Sequence, residues 1–359
     1  MAYSTINKST LYQNQLLWDG TGATNARTGL GFQPDFCWGK ERSSTSGHIL
    51  QDSVQGLSVY LSSNSDSLTN PTSVQFTSFD SDGFTLGTST GINQSGQTNV
   101  GWAWKAGTTG SGTTTGAGTG KAYSYSVNTT SGFSITKYLG NSTAGHTIPH
   151  TLGVVPKMLF VKKLTSPYAA SWRYGSDMIG WDKVMFLDTT AAATTYTSGE
   201  GWNGTAPTSS VFTLGNDSTM NATDVSYIAY VFADVQGYSK FGSYTGNGSI
   251  DGTFVYTGFS PAFLMVKRTD TTGVWGMYDN KRIGFNQSQG VQNVLRANSS
   301  DATATGGGDA GGYGGIDFLS NGFKCKLSDG NMGASGGTYI YMAFGQPIIS
   351  NSGTPATAR

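Results

Sequence analysis

The chain sets a few short, dense apolar runs among long polar stretches, and one run shows the pattern. In GFSPAFLMVKR, Gly258 to Arg268, five apolar residues (Ala262 to Val266) follow a proline. Near-copies stand earlier, GFQPDFCWGKE from Gly31 and GVVPKMLFVKK from Gly153. A half-solvated strand alternates apolar and polar residues, whereas a strand covered on both faces is apolar throughout. Each run therefore predicts the central strand of a sandwich. The leading proline lacks only an amide that need not join the ladder. No window of a dozen residues keeps helical spacing, and β-branched and aromatic residues dominate.

Other elements recur around these runs. Aromatic-plus-turn openings stand at WDGTG from Trp18, YLGNS from Tyr138 and YTGNG from Tyr244. A middle element reads VQFTSFDSDGFTLG, SVFTLGND and IDFLSNGFKCKL, with Asp82-Gly83 and Asn321-Gly322 as hairpin dipeptides. A closing element reads NVGWAWKAG, SYIAYVFAD and TYIYMAFGQ. In the first of these, Val100, Trp102 and Trp104 share a face, which predicts a strand buried mainly on one side. Each unit spans roughly 85 to 115 residues, the size of a small sandwich.

The expected fold class is all-β, with three tandem antiparallel β-sandwich repeats joined by Gly/Thr/Ser-rich linkers. The expected boundaries are an attachment segment 1–17, repeats at 18–106, 133–237 and 238–348, a linker 107–132 and a tail 349–359. The linker holds AGTTGSGTTTGAGTG, Ala106 to Gly120, with no apolar residue larger than alanine to offset its ordering. ATATGGGDAGGYGG, from Ala302, is expected to be a long surface loop.

Composition narrows the function classes. Hydrophobic residues make up 36% and charged residues 12%, with net charge zero and 52 glycines. Neutrality argues against disorder, which pairs low hydrophobicity with high net charge. It also argues against nucleic acid, whose binders carry a basic face. The start shows no signal-peptide pattern, and no apolar run reaches the roughly 18 residues that span a bilayer. Membrane insertion is not expected. Cys37 and Cys325 fall in different units inside strand-like runs, and are expected to be buried free thiols.

Candidate chemistry is sparse. His146 and His150 have the i,i+4 spacing of a helical metal pair, but Pro149 between them argues against a helix. His48, Asp52 and Ser53 together suggest a catalytic triad, yet no nucleophile-elbow glycines surround the serine. Asp80, Asp82 and Gly83 resemble the start of a calcium loop whose closing glutamate is absent. Neither a catalytic residue, a metal nor a cofactor is therefore assigned. Trp172 and Tyr174 in SWRYG, with Trp275 and Tyr278 in VWGMYDN, are the candidates for stacking on a glycan. The competing reading places all four in the core of the next strand.

WDGTGATNARTGLGFQPDFCWGKERSS, SFDSDGFTLG, NVGWAWKAG and TTSGFSITKYLGN together resemble a repeat family found in virion structural proteins of tailed bacteriophages, marine and cyanobacterial ones especially. The resemblance covers most of residues 18 to 348 and is weakest in the third unit. It implies a tail-fibre-like particle component without catalytic residues, located in the virion and assembled in the host cytoplasm. The implied partners are other virion proteins, a homo-oligomer with a trimer favoured, and a host cell-surface glycan or protein. The alternatives are a capsid or tail decoration protein, or a polysaccharide depolymerase working through two carboxylates roughly 5 to 10 Å apart.

Overall fold

The computed structural model describes residues 4–165, 169–282, 294–303 and 315–347. The first of three consecutive segments, 4–106, forms β1 (Gln13–Asp19), β2 (Asn25–Thr28), β3 (Phe36–Glu41), β4 (Ile49–Asp52), β5 (Val59–Tyr60), β6 (Asn70–Pro71), β7 (Phe76–Asp80), β8 (Gly83–Leu86) and β9 (Thr98–Trp104). The second forms β10 (Thr108–Thr113), β11 (Thr115–Gly116), β12 (Ala122–Asn128), β13 (Phe133–Leu139), β14 (His146–Pro149), β15 (Met158–Lys163), β16 (Arg173–Ser176), β17 (Lys183–Phe186), β18 (Thr194–Thr195), β19 (Val211–Leu214), the single turn α1 (Ser218–Asn221) and β20 (Ser226–Phe232). The third forms β21 (Ser239–Thr245), β22 (Phe254–Tyr256), β23 (Pro261–Arg268), β24 (Trp275–Asp279), β25 (Leu295–Arg296), β26 (Ile316–Leu319), β27 (Gly322–Cys325) and β28 (Thr338–Gly345). The fold is all-β and its sheets are antiparallel.

One order of four strands occurs three times: β1-β9-β3-β4, β13-β20-β15-β16 and β21-β28-β23-β24. Each main sheet faces a smaller one, β2-β8-β7, β11-β14-β19 or β22-β27-β26. The chain thus has three lobes, each a sandwich around its own core. The apolar strands explain what lies on the other face. In β23, Leu264 and Val266 fill the third lobe's own core, while Phe263 and Met265 enter a core common to all three lobes. In β15, Leu159 and Val161 divide from Met158 and Phe160 in the same way. Phe36 stacks on Tyr230 at 4.5 Å, Phe160 meets Trp275 at 6.1 Å and Trp102 meets Phe263 at 5.8 Å, so every pair of lobes is joined. Fully burying such side chains contributes roughly 1.5–3 kcal/mol each.

Three sequence expectations change. β9 is not half-solvated, because Val100, Trp102 and Trp104 enter the common core while Ala103 enters the lobe's own. The leader is not separate either: Gln13 to Leu17 pair with β9, and Ile6 is buried in the common core. The segment 107–132 is not a free linker, since β10 and β12 extend the second main sheet and β11 pairs with β14. The Gly/Thr-rich part, 106–120, supplies little apolar area, but Tyr125 and Tyr123 of β12 lie across Gly110 and Gly112 of β10. The surface loop expected from Ala302 lies outside the described residues over 304–314, and so does the tail.

A Cβ at Gly110 would come within 2.5 Å of the Tyr125 hydroxyl. Gly110→Val is therefore expected to lift that ring, cost about 1–2 kcal/mol and speed amide hydrogen exchange over 108–113. Unchanged protection there would contradict the packing.

Candidate functional site

The seams between lobes hold the chain's buried chemistry. On β3, β15 and β23, alternation turns Lys40, Lys162 and Lys267 to the same face as the common-core residues, six places after Pro34, Pro156 and Pro261, and all three are fully buried. Lys162 Nζ donates to the carbonyls of Asp66 (2.8 Å) and Ala170 (2.6 Å). Lys267 Nζ donates to those of Arg268 (2.6 Å) and Thr190 (3.3 Å), and Lys40 Nζ to that of Glu41 (2.5 Å). Loss of solvent lowers the amine pKa to about 8 at Lys40 and Lys162 and to about 7 at Lys267.

The neighbouring strand places a ring N–H beside each lysine. Trp275 is the cross-strand partner of Lys267, and His48 and Trp172 stand one step beyond the ladder pairs Gly39–Ile49 and Val161–Arg173. Trp172 Nε1 donates to the Ser62 carbonyl of the first lobe (2.8 Å), and Trp275 Nε1 to the Phe186 carbonyl of the second (2.9 Å). His48 Nε2 meets the carbonyls of Arg296 (3.0 Å) and Ser299 (3.2 Å) in the third lobe. The contacts run second lobe to first, third to second and first to third. That is a closed, head-to-tail ring.

Two carboxylates strengthen it. Tyr230 of the second lobe donates to Asp52 of the first (2.8 Å), and Trp102 of the first donates to Asp279 of the third (3.0 Å). Asp279 also takes a buried ion pair from Arg282 at 2.6 Å.

These contacts settle several candidates. Trp172, Tyr174, Trp275 and Tyr278 are at most 6% exposed. Trp172 and Trp275 anchor seams, Tyr174 lies edge-on to Trp275 at 5.3 Å, and Tyr278 fills the third lobe's own core. They offer no face to a glycan, because the strand after each central run is covered on both sides. His48 is no triad base: Trp38 Nε1 donates to its Nδ1 at 2.8 Å, Asp52 caps Val54 and Gln55, and the Ser53 hydroxyl donates to Asp35.

His146 bonds Thr114 and Asn221, His150 bonds Thr208, and four extended residues separate them by about 13 Å. Asp82 accepts the amides of Gly29 (3.0 Å) and Gly31 (2.7 Å), a backbone task. Among the described residues no group of three or more His, Cys, Asp or Glu could hold a metal ion. Cys37 and Cys325 are free and buried, and burial pushes the Cys325 thiol up to about 11.

Burial first, then Lys40, pulls the His48 pKa down to about 3. Its imidazole is therefore expected to stay neutral, with the proton on Nε2, from pH 8 to pH 5 in nitrogen-15 spectra. Titration near 6.5 would contradict the seam.

The exposed aromatic side chains that sequence reasoning missed lie elsewhere. Phe254 and Tyr256 on β22 are 44% and 62% exposed, while Val255 between them enters the lobe's core. Lys324 and Gly322 of β27 stand opposite them, with Asp317 of β26 beyond. Lys324 pairs with Asp251, and Lys326 with Asp317 at 3.3 Å. The signal is in FVY: the residue between the rings matches Ile148 and Arg27, each opposite a phenylalanine of the strand it pairs with, so the rings must face outward.

A family model described as a domain of unknown function, DUF7483, matches residues 8–347, across all three lobes. No curated protein and no solved structure matches the chain.

Proposed function

We propose that this chain, which belongs to the DUF7483 family, is a non-enzymatic structural component of a tailed-phage particle, fibre-like and exposed to the host surface. The observation that carries the reading is where the reactive groups lie. Lys40, Lys162, Lys267, His48, Asp52 and Asp279 are all buried and bonded between or beside lobes. Chemistry would need some of them facing a cleft with water or substrate. Here they hold a rigid body together. The resemblance to phage virion repeats supplies the setting, and a chain with no net charge suits contacts made in salt, where screening weakens charge-based attraction. Three lobes in one chain already give the threefold arrangement that fibres usually reach with three chains, so the attachment we propose is to other virion proteins.

Immunogold labelling of phage particles purified from cells that make the protein tests this. Label on fibre or tail is the expected result; label on the head would favour a decoration role. Particles without label, or purified protein that releases reducing sugar from a host polysaccharide, would overturn the proposal.

A further inference from the structure

We propose that the outer face of β22, β27 and β26 is a carbohydrate platform, which takes a neutral pyranose ring against Phe254 and Tyr256. This deepens the reading of the protein as a surface component and rests on it for its biological setting. The first observation is a departure from the shared framework. Register-matched positions carry Ala26 and Thr28 in the first lobe and Thr147 and Pro149 in the second. Only the third lobe places rings there. A fold determinant would recur in all three, so the rings answer a need that the scaffold does not impose.

The second observation is how the rings lie. Gly322 stands opposite Tyr256, and a Cβ on it would come within 3.0 Å of Phe254 Cε2 and 2.1 Å of the Val255 carbonyl oxygen. The bare glycine lets the Phe254 ring lie down across the sheet with its other face to solvent. With Tyr256 two places on along the same face of the strand and 62% exposed, the two side chains offer an apolar surface suited to the C–H face of a sugar.

Charge and area select the occupant. This surface is bordered by Lys324 with Asp251 and by Lys326 with Asp317. Two cations and two anions cancel, so the border offers hydroxyl groups both donors and acceptors and gives an anionic polymer no net attraction. Phe254, Tyr256 and the nearby Ile250, which is 59% exposed, together present only about 300 Å². A stable protein interface needs about 800 Å² from each partner. One or two sugar rings fit; a second copy of the chain does not.

Saturation-transfer NMR on the full chain tests the platform. The probes are methyl β-glucopyranoside, methyl β-galactopyranoside, methyl α-mannopyranoside and N-acetylglucosamine. Transfer to the ring C–H protons of at least one is expected. Tyr256→Ala and Phe254→Ala should each weaken it about tenfold, Tyr256→Trp should keep it, and Val154→Ser, exposed elsewhere, should leave it unchanged. Absence of transfer from all four sugars would overturn the proposal, as would transfer that survives the double alanine variant. Self-association abolished by Tyr256→Lys would overturn it in favour of a second copy. Particle labelling is independent. Labelled particles with no sugar transfer would sink the platform alone, and sugar transfer without label would sink the virion reading alone.

Discussion

Trp172→Ala is expected to cost about 3–5 kcal/mol, the usual range for deleting a large buried aromatic. Its indole is 1% exposed, stacks near Tyr230 at 6.1 Å and donates to the Ser62 carbonyl across a seam. The deletion therefore opens a cavity in the common core and leaves a buried carbonyl without its donor. Trp275→Ala should behave alike, because Trp275 makes the matching bond to Phe186. A domain's whole stability is only about 5–15 kcal/mol, so either change should lower the urea midpoint severely. Tyr256→Ala, on the solvent face, should stay within about 0.5 kcal/mol. If Trp172→Ala were as mild as Tyr256→Ala, the seam description would fail.

Stability should also rise with pH between about 7 and 9, through the three seam lysines. Folding lowers their pKa from 10.5 to about 8, 8 and 7, chiefly by burial. In that window the unfolded chain binds more protons than the folded one, so stability climbs as pH increases. The penalty of the charged amine is fully present below the folded pKa and disappears as pH reaches the unfolded value.

Lys162 alone would contribute about 3 kcal/mol between its folded and its unfolded pKa, at 1.36 kcal/mol per pKa unit. Buried thiols and phenols set the upper limit. Burial raises the Cys325 thiol to about 11 and holds the phenols of Tyr174 and Tyr227 well above their ordinary value, so from about pH 9 upward these groups ionise first in the unfolded chain and stability falls again. Urea unfolding at pH 7, 8 and 9 reads the slope. Lys162→Met should flatten it by about a third, since one of three comparable groups is removed. A slope of the opposite sign, or one untouched by Lys162→Met, would contradict the burial of these amines.

The central strands were legible because a five-residue apolar run after a proline has few other uses. The run told that both faces are covered, not by what. One face meets the lobe's small sheet and the other meets two more lobes, and a single-strand pattern cannot separate these. The same gap left Trp172, Tyr174, Trp275 and Tyr278 between two readings, glycan face and strand core: which one holds depends on what covers the far side, and there the core reading stands. The Gly/Thr segment misled for a different reason. Its own apolar content is too small to order it, yet Gly110 and Gly112 are covered by Tyr125 and Tyr123 from the next strand. Lys40, Lys162 and Lys267 stood in plain view at a fixed distance from each proline, but a lysine at a strand end normally reaches water. Only the closing of the ring buries them.

That closure is most directly tested by calorimetry of the intact chain. Three lobes around one common core should unfold as a single cooperative unit, with calorimetric and van't Hoff enthalpies equal. Three resolved transitions, with Trp172→Ala shifting only the one that belongs to the second lobe, would contradict it.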